Sequence, residues 1–366
     1  MKVLIISSVH PWDDPRILHK QAVSLSKRYD VELYAVADFK EKDFNGIKVI
    51  GLPHYKSRIK RLRNIIRLLN IGLFSKAGVV HFHDPELIPV GWLIKKCTHK
   101  KVIYDVHEDY EKAIASKFWI AEKKRTRIAR RFRKIEDSMS KSFDAVITVI
   151  DEIASKFPKD KVYLVKNYPL DIPDVKVKTF DESQKEYNLI YVGSLTRVRG
   201  IKEIVLALDY IKCAKPIKLL LVGDFDEPEF ENEIKELSST RNIVMTGRVD
   251  YKYLKESHIG LVCLQPVSQY INSLPVKMFE YMSVGIPIVA SDFPLWRDII
   301  EQNSCGVVVD PTLPAKIGEA VSALLNDPKR MKEMGLNGRE AYKTKYSWES
   351  QEDVLYKVYE KILAEK

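Results

Sequence analysis

Short apolar runs alternate with helical patterns along most of the chain. In the first 170 residues, buried strands are predicted at 2–7, 31–36, 47–52, 78–82, 101–106 and 144–149. This alternation is typical of a parallel sheet with helices on both faces. Ligands of such sheets bind beyond the carboxyl ends of the strands, so the loops after the strands are where we expect the chemistry.

A segment without apolar period, beginning Asn-Tyr-Pro-Leu-Asp-Ile-Pro-Asp at residue 167, interrupts this pattern. Two prolines close together are typical of a domain boundary. The alternation then restarts, with strands predicted at 188–193, 217–222, 242–246, 259–264, 286–291 and 306–309. The sequence therefore predicts an α/β protein of two Rossmann-like doubly wound domains. Its predicted parts are an N-terminal domain (1–170), a linker (171–186), a C-terminal domain (187–345) and a terminal helical segment (346–366).

Residues 271–291 hold the densest chemistry of the second half. A helix is predicted over 274–284, with Ser273 as its N-cap and Gly285 as its stop. Lys277 then lies near the N-terminus of this helix. The lysine and the free N–H groups of the helix together make an anion site suited to a diphosphate. Glu280, about one turn further on, is placed to accept hydrogen bonds from ribose hydroxyls. The alternative is that both side chains are solvated surface charges.

The loop Gly193-Ser-Leu-Thr-Arg-Val-Arg-Gly connects the first predicted strand of the second half to its helix. A glycine at a strand end lets the backbone approach a ligand closely. Arg197 and Arg199 can each bind phosphate through two donors. The alternative is an ordinary turn that carries two surface arginines.

Polar side chains also follow the predicted strands of the first half. Asp14 and Arg16 lie in the first loop, where Asp14 can cap the following helix, and His107 ends a later strand. The pair His81-Phe-His83 followed by Asp84 raises the question of zinc, but no third ligand follows at helical spacing. A strand-end histidine and a capping aspartate are favoured, and no metal site is predicted.

Charge divides the chain unevenly. Residues 1–170 contain 34 Lys and Arg against 20 Asp and Glu, whereas the remainder contains 26 against 30. The excess lies in two predicted amphipathic helices, 56–69 and 123–134, the second with eight basic residues and no acid. Each helix has an apolar stripe that can pack on the core and leave the basic face solvated: Ile59, Leu62, Ile66 and Leu69 in the first, and Ile128, Phe132, Ile135 and Met139 in the second. Packing does not explain the lack of compensating acids, so contact with an anionic membrane is favoured. Nucleic acid is not favoured, because no binding motif is present.

Several function classes are disfavoured by what the sequence contains. The dinucleotide fingerprint G-x-G-x-x-G is missing, which argues against a nicotinamide enzyme. Cys97, Cys213, Cys263 and Cys305 are scattered, as in a cytosolic protein with reduced core thiols. The first apolar segment is too short for a signal peptide, and no apolar run is long enough to span a bilayer.

The stretch 271–291 resembles the C-terminal signature of the family 4 retaining glycosyltransferases, which have the GT-B fold. Glu280 matches the second of two glutamates that this family separates by seven residues, and Gly285 and Pro287 match its Gly-x-Pro. The first glutamate is replaced by Asn272, which keeps hydrogen-bonding capacity without the charge. The resemblance covers nearly the whole chain and is strongest after residue 188.

This resemblance implies roles for individual residues. The implied catalytic residues are His107, Arg199, Lys277 and Glu280. The implied donor-nucleotide contacts are Gly193, Arg197, Arg199, Gly223, Val249, Ser273, Leu274, Lys277 and Glu280. Contacts to the acceptor or the transferred sugar fall to Asp14, Arg16, His107 and Asn272.

The function implied is metal-independent, retaining transfer of a hexose-type sugar from a nucleoside diphosphate sugar, with no cofactor. A UDP-sugar is the favoured donor and a GDP-sugar the alternative. The acceptor would be a glycan or a lipid-linked glycan of cell-surface polysaccharide synthesis, reached at the inner face of the cell membrane. The resemblance also implies that the two domains face across a cleft and that the last helix crosses back to the first. The alternatives are a GT-B nucleotide-sugar epimerase, which needs extra acids or bases, and a non-catalytic membrane- or anion-binding relative.

Overall fold

A computed structural model of the protein describes residues 1–55, 57–115, 121–172, 185–247 and 251–365. The chain divides into two compact units. The first unit comprises Met1–Asn167 together with Gln351–Lys366, and the second comprises Tyr168–Ser350. Each unit has its own sheet and its own apolar core.

The sheet of the first unit contains eight strands in the described ranges. They are β1 (Lys2–Pro11), β2 (Asp30–Val36), β3 (Glu41–Phe44), β4 (Ile47–Leu52), β5 (Val79–Phe82), β6 (Lys101–Val106), β7 (Ala145–Thr148) and β8 (Val162–Leu164). Their spatial order is β3-β4-β2-β1-β5-β6-β7-β8, and every neighbouring pair is parallel except β3 with β4. The six predicted strands are confirmed. The edge strands β3 and β8 were not predicted, because β3 is polar and β8 has only three residues.

Helical segments connect these strands. Those of the first unit are Pro15–Ala22, Val23–Ser26, Arg58–Phe74, Pro85–Leu87, Ile88–Cys97, Tyr110–Ala115, Glu122–Ser140, Asp151–Ala154 and most of Trp348–Ala364. The predicted cap at Asp14 is confirmed, because its carboxylate accepts hydrogen bonds from the backbone N–H groups of Arg16 and Ile17.

The second unit has a wholly parallel sheet. Its strands are β9 (Tyr187–Val192), β10 (Ile217–Val222), β11 (Ile243–Met245), β12 (Ile259–Val262), β13 (Ile288–Ser291) and β14 (Gly306–Val309). Their order, β11-β10-β9-β12-β13-β14, is the doubly wound order in which the chain reverses direction between the first and fourth strands. The loop after β9 therefore starts at the switch point, where ligands of this fold bind.

The helical segments of the second unit follow the predicted alternation, with three additions. They are Arg197–Arg199, Ile201–Ala207, Leu208–Tyr210, Pro228–Ser238, Tyr251–Glu256, Ser268–Ile271, Val276–Ser283, Pro294–Gln302, Pro314–Leu325, Pro328–Ala341 and Tyr342–Tyr346. The additions are Arg197–Arg199, Ser268–Ile271 and Pro294–Gln302.

The predicted helix at 274–284 is confirmed as Val276–Ser283, and Gly285 ends it with a φ of +71°. The predicted N-cap at Ser273 is wrong. The Ser273 hydroxyl instead donates to the carbonyl oxygen of Tyr270, 2.9 Å away, because a short helix ends at Ile271 and its last carbonyls need donors.

The two basic helices do not bury the apolar stripes that their spacing predicts. Ile59, Leu62 and Ile66 are 85%, 51% and 52% exposed. Asn64 and Leu68 of that helix are buried instead. Packing of the whole stripe on the core is therefore wrong for the first helix.

In the second basic helix, Ile128 and Ile135 are exposed, whereas Phe132 and Met139 pack against the core. None of the helices in the described ranges combines the length and apolar character needed to cross a bilayer.

All four cysteines lie in the described ranges and are free, but only Cys263 and Cys305 are buried. The prediction of core thiols is therefore wrong for the exposed Cys97.

Candidate functional site

Two cations converge on Gly193, the residue that follows β9 at the switch point of the second unit. A Cβ atom at residue 193 would lie 3.0 Å from Nη1 of Arg199 and 3.1 Å from Nζ of Lys277. Gly193 has a φ of +122°, a conformation that glycine adopts without strain. The structure therefore brings together three of the residues predicted to bind the donor diphosphate.

Lys277 is the unusual member of this group, because it is buried and unpaired. Its side chain is 8% exposed, and Nζ has no hydrogen-bond partner among the described residues. The ammonium group lies 3.8 Å from the ring centroid of Tyr191, within the range of a cation–π interaction. Burial, reinforced by the charge of Arg199, lowers the pKa of Lys277 well below its ordinary value, and Glu280 only partly opposes this. A buried amine of this kind is relieved by an anionic ligand.

The helix that carries Lys277 is held to the sheet by Tyr281. The Tyr281 hydroxyl accepts a hydrogen bond from the backbone N–H of Val192, the last residue of β9. Gly260 makes room for the ring, since a Cβ there would lie 2.2 Å from Cδ2 of Tyr281. The helix is thereby fixed one residue away from Gly193.

Arg199 is positioned by aromatic hydroxyls. Its guanidinium group lies against the side chains of Tyr191 and Tyr270. Gly200, which follows it, has a φ of +71°, and a Cβ there would lie 1.9 Å from the carbonyl oxygen of Cys263. Sequence reasoning missed both tyrosines. The signal for Tyr191 was available, because it lies two residues before the glycine at the strand end.

Arg197 is directed elsewhere. Its guanidinium pairs with Glu233 at 2.6 Å and lies 4.6 Å from the ring centroid of Phe230. Glu227 is 3.8 Å away. The two arginines of the loop thus have different surroundings, with acids around Arg197 and tyrosine hydroxyls around Arg199.

The other predicted nucleotide contacts lie near the same sheet edge or outside the described residues. Gly223 follows β10, and a Cβ there would lie 2.0 Å from the carbonyl oxygen of Gly193, so these two loops touch through glycine. Val249 lies outside the described residues. Ser273 is held by Trp296, whose indole N–H donates to the Ser273 carbonyl oxygen at 2.7 Å.

The remaining predicted residues of this unit flank Lys277. Leu274 packs against the core, and Glu280 is partly buried on the same helix. Asn272, at the position of the expected glutamate, is exposed at the end of the preceding short helix. The predicted contact of Asn272 with a sugar stays a prediction.

In the first unit, the charged groups near the corresponding sheet edge pair with each other. Arg16 is buried and donates to both carboxylate oxygens of Asp105, with Nη2 to Oδ2 at 2.9 Å, and also to the carbonyl oxygen of Val165. Burial raises the pKa of Asp105, but the charge of Arg16 and the neighbouring histidines outweigh it and hold that pKa well below its usual range. Arg16 is therefore committed to this pair.

The histidines His81 and His83 gather beside Asp105, with ligand atoms of all three residues within 4.8 Å of one another. The two imidazole rings are stacked, with centroids 4.8 Å apart, and Nδ1 of His81 is 2.9 Å from the Tyr359 hydroxyl. Asp105 already accepts hydrogen bonds from Arg16 and Gln21, and the adjacent guanidinium disfavours a dication. We therefore assign the trio to the network that holds Asp105.

His107 lies at the rim of this network. Its side chain is 19% exposed, and its Nδ1 is 3.6 Å from Oδ1 of Asp105. The predicted cap at Asp84 is wrong, because its side chain makes no hydrogen bond to the helical turn that follows it. Its carboxylate instead accepts hydrogen bonds from the second half of the neighbouring strand β1, including the Ser7 hydroxyl at 2.8 Å.

Comparisons with known proteins agree with this architecture. The family model "Glycosyltransferase Family 4" matches residues 16–167, and "Glycosyl transferases group 1" matches residues 175–341. The α-maltose-1-phosphate synthase of Mycolicibacterium smegmatis is 24% identical over 259 residues, which are 63% of this chain and 66% of that enzyme. The match thus spans slightly less than two thirds of that relative's length.

Solved structures match over the full chain. Sucrose-phosphate synthase from Thermosynechococcus elongatus has a TM-score of 0.76 at 18% identity, covering 100% of both chains. HepE of Anabaena, in complex with UDP-glucose, has a TM-score of 0.70 at 13% identity, also covering 100% of both. At these identities the likeness establishes the fold. The two matched families and this fold show that the chain belongs to the family 4 glycosyltransferases (glycosyl transferases group 1) of the GT-B fold.

Proposed function

We propose that this glycosyltransferase moves a hexose-type sugar from a nucleoside diphosphate sugar, with UDP as the favoured nucleotide, to a glycan or lipid-linked acceptor. The observation that carries the proposal is the pair of cations beside Gly193, with the Nζ of Lys277 buried and unpaired. HepE, one of the structural neighbours, binds UDP-glucose, which supports a UDP-sugar for the same fold.

The diphosphate is the part of the donor that these cations recognise. Arg199 donates to one phosphate group, and the ammonium group of Lys277 pairs with another. Both interactions strengthen as the bond to the sugar breaks and negative charge develops on the leaving oxygen. Stabilising that charge is the main catalytic contribution, and the two side chains supply it without a metal ion.

The family resemblance also implies donor contacts for Glu280 and for His107. Glu280 accepts hydrogen bonds from the ribose hydroxyls, and His107 contacts the transferred sugar, as the family resemblance implies. The reaction proceeds with retention of anomeric configuration. The acceptor attacks on the face that the diphosphate leaves, and a phosphate oxygen receives the proton of the acceptor hydroxyl.

A nucleotide panel tests the donor site. We would measure thermal stabilisation by UDP, GDP, ADP and CDP, with and without magnesium, for the wild type, Arg199→Ala and Arg197→Ala. Arg197→Ala is the matched control, because it removes an arginine of the same loop that is paired with Glu233. We expect one nucleotide to stabilise the wild type and Arg197→Ala without magnesium, but not Arg199→Ala. Absence of any shift, or equal loss in both variants, would sink the proposal.

We further propose that the two basic helices hold the protein against the anionic inner face of the cell membrane, where a lipid-linked acceptor is reached. The exposed side chains of Ile59, Leu62 and Ile66 share a helix surface with basic residues, and Ile128 and Ile135 do so in the second helix. Most basic residues of the second helix have no ion-pair partner among the described residues; Arg133, paired with Glu136, is the exception. Apolar side chains beside uncompensated cations suit a bilayer interface.

Vesicle sedimentation tests this contact. The triple variant Arg127→Gln, Arg130→Gln, Arg131→Gln should weaken binding to phosphatidylglycerol vesicles about a hundredfold, since each cation near such a surface contributes about 1 kcal/mol. The control Lys329→Gln, Arg330→Gln, Lys332→Gln makes the same charge change in an exposed helix of the second unit. Equal binding by the two triple variants would contradict the assignment.

A further inference from the structure

His10 and Asp84 form a hydrogen-bonded pair at the switch point of the first sheet, where β1 and β5 lie side by side. Nδ1 of His10 lies 2.8 Å from Oδ1 of Asp84. Asp84 is buried and accepts hydrogen bonds from the backbone N–H of Ser8 and Val9, at 2.5 and 3.2 Å. The backbone of β1 thus holds the carboxylate in place, and the carboxylate holds the imidazole in turn.

This pairing determines which nitrogen of His10 is available. Because Nδ1 faces a carboxylate, the neutral ring carries its proton on Nδ1 and has its acceptor lone pair on Nε2. Nε2 has no hydrogen-bond partner among the described residues, and the His10 side chain is 23% exposed. An oriented imidazole with an open acceptor is what a hydroxyl ligand requires.

His107 lies directly beside it. The two ring centroids are 5.2 Å apart at an interplanar angle of 62°, and both side chains are about one fifth exposed. Each ring has a buried aspartate behind it, Asp84 for His10 and Asp105 for His107. Two partly exposed imidazoles are therefore held side by side at the sheet edge where ligands of this fold bind.

We propose that His10 is a substrate-contacting residue whose neutral Nε2 accepts a hydrogen bond from a sugar hydroxyl, with Asp84 as the residue that positions it. This rests on the proposed function, since it assumes a sugar substrate. The hydroxyl belongs either to the hexose of the donor or to the acceptor glycan.

The contact is sensitive to pH. Burial lowers the pKa of His10, but the hydrogen bond and charge of Asp84, with smaller contributions from Asp14 and Glu108, raise it above the ordinary 6.5. The histidines His83 and His107 also face this ring. Protonation removes the acceptor on Nε2, so the contact is lost as the pH falls through the pKa of His10.

Nitrogen NMR of the histidine side chains tests the contact without requiring turnover. We would label the wild type with ¹⁵N-histidine and assign His10 by comparison with His10→Gln. Above the pKa of His10 we expect a proton on Nδ1 and none on Nε2. UDP-glucose or GDP-mannose, matched to the nucleotide that stabilises the protein, should shift Nε2 if the donor supplies the hydroxyl. Octyl β-glucoside should shift it if the acceptor does.

A proton on Nε2, or no Nε2 shift with any sugar probe, overturns the proposal. If the nucleotide still stabilises the protein thermally, the proposed donor site is supported and only the contact of His10 is wrong. The two failures are therefore distinguishable.

Donor turnover as a function of pH supplies the second readout. In the wild type, kcat/KM for release of the nucleotide should fall tenfold per pH unit below the pKa of His10. In Asp84→Asn this fall in kcat/KM should move to lower pH. In His10→Gln the fall should disappear, because the amide oxygen remains an acceptor at every pH. His10→Ala should lose about tenfold at pH 8. His99→Gln changes an exposed histidine of the same unit and should match the wild type. If kcat/KM of Asp84→Asn falls at the same pH as that of the wild type, the positioning role of Asp84 is contradicted.

Discussion

In the second unit, Arg199 and Lys277 lie beside Gly193, and the Nζ of Lys277 has no hydrogen-bond partner among the described residues. In the first unit, the buried Arg16 and Asp105 neutralise each other. Unpaired buried charge is costly unless a ligand completes it, whereas a paired network is stable on its own. The difference supports the proposal that the second unit binds the anion and that the first unit meets neutral hydroxyls.

The largest effect should follow from breaking the paired network. Asp105→Asn leaves Arg16 buried without its counter-charge, so we expect a loss of about 3–5 kcal/mol in the free energy of unfolding, measured by urea denaturation. The pKa of Asp105 is lowered in the folded protein, so its contribution is present above pH 4 and is lost as the pH falls through that lowered pKa. The difference from wild type should therefore shrink in acid.

The double variant Arg16→Met, Asp105→Leu is the control, because it removes both charges together. It should recover most of the lost stability. If the double variant is as unstable as Asp105→Asn, the loss of stability does not come from leaving the charge of Arg16 unpaired.

Gly193→Ala should have the next largest effect. A methyl group there meets the cationic ends of both Arg199 and Lys277, and the φ of +122° is strained for alanine. We expect a stability loss of about 1–3 kcal/mol and at least tenfold weaker nucleotide binding. Gly46→Ala is the control, since Gly46 also has a positive φ of +80° but no heavy atom within 4 Å of the added carbon. Equal nucleotide affinities in the two variants would contradict a site at Gly193.

Lys277→Met should make the ligand-free protein more stable, by about 1–2 kcal/mol near pH 7, because it removes an unpaired buried amine. The pKa of Lys277 is lowered in the folded state, so the unfolded chain binds more protons and wild-type stability rises with pH towards 10. This variant should lack that part of the rise. Denaturant titrations at pH 7 and pH 9.5 measure both effects, and a less stable variant would show that Lys277 has a partner.

The smallest effect is expected from Asn272→Glu. The side chain is exposed, so the stability should change by less than about 0.5 kcal/mol. Water screens the charge of an exposed carboxylate, so nucleotide affinity should change less than about threefold. A tenfold change in affinity would place residue 272 within the phosphate site.

The strands and the end of the helix Val276–Ser283 could be predicted, because the sequence signals for them are local. Continuous apolar runs indicate buried parallel strands, and Gly285 stops a helix through its own backbone freedom. The Ser273 cap failed because the sequence gives no sign that a separate helical turn would end at Ile271 and recruit the hydroxyl. Local capping rules cannot resolve two competing ends.

Contacts between distant residues could not be predicted. Arg16 meets Asp105 across 89 positions of the chain, and Asp84 meets Ser7 across 77. Arg197 and Arg199 are chemically alike in the sequence, and only folding places Glu233 beside the first and tyrosines beside the second. The stripe of Ile59, Leu62 and Ile66 has the helical period of a core face, yet the helix is rotated so that its neighbours Asn64 and Leu68 are buried.

The most direct test of the central claim is calorimetric titration of UDP at pH 8 into the wild type and Lys277→Met, in buffers of different ionisation enthalpy. Burial lowers the pKa of Lys277 and a bound diphosphate raises it again, so binding there should draw protons from the buffer. The account predicts proton uptake by the wild type, and no uptake with at least about thirtyfold weaker binding in the variant. Equal affinity and equal proton uptake in the two proteins would contradict it.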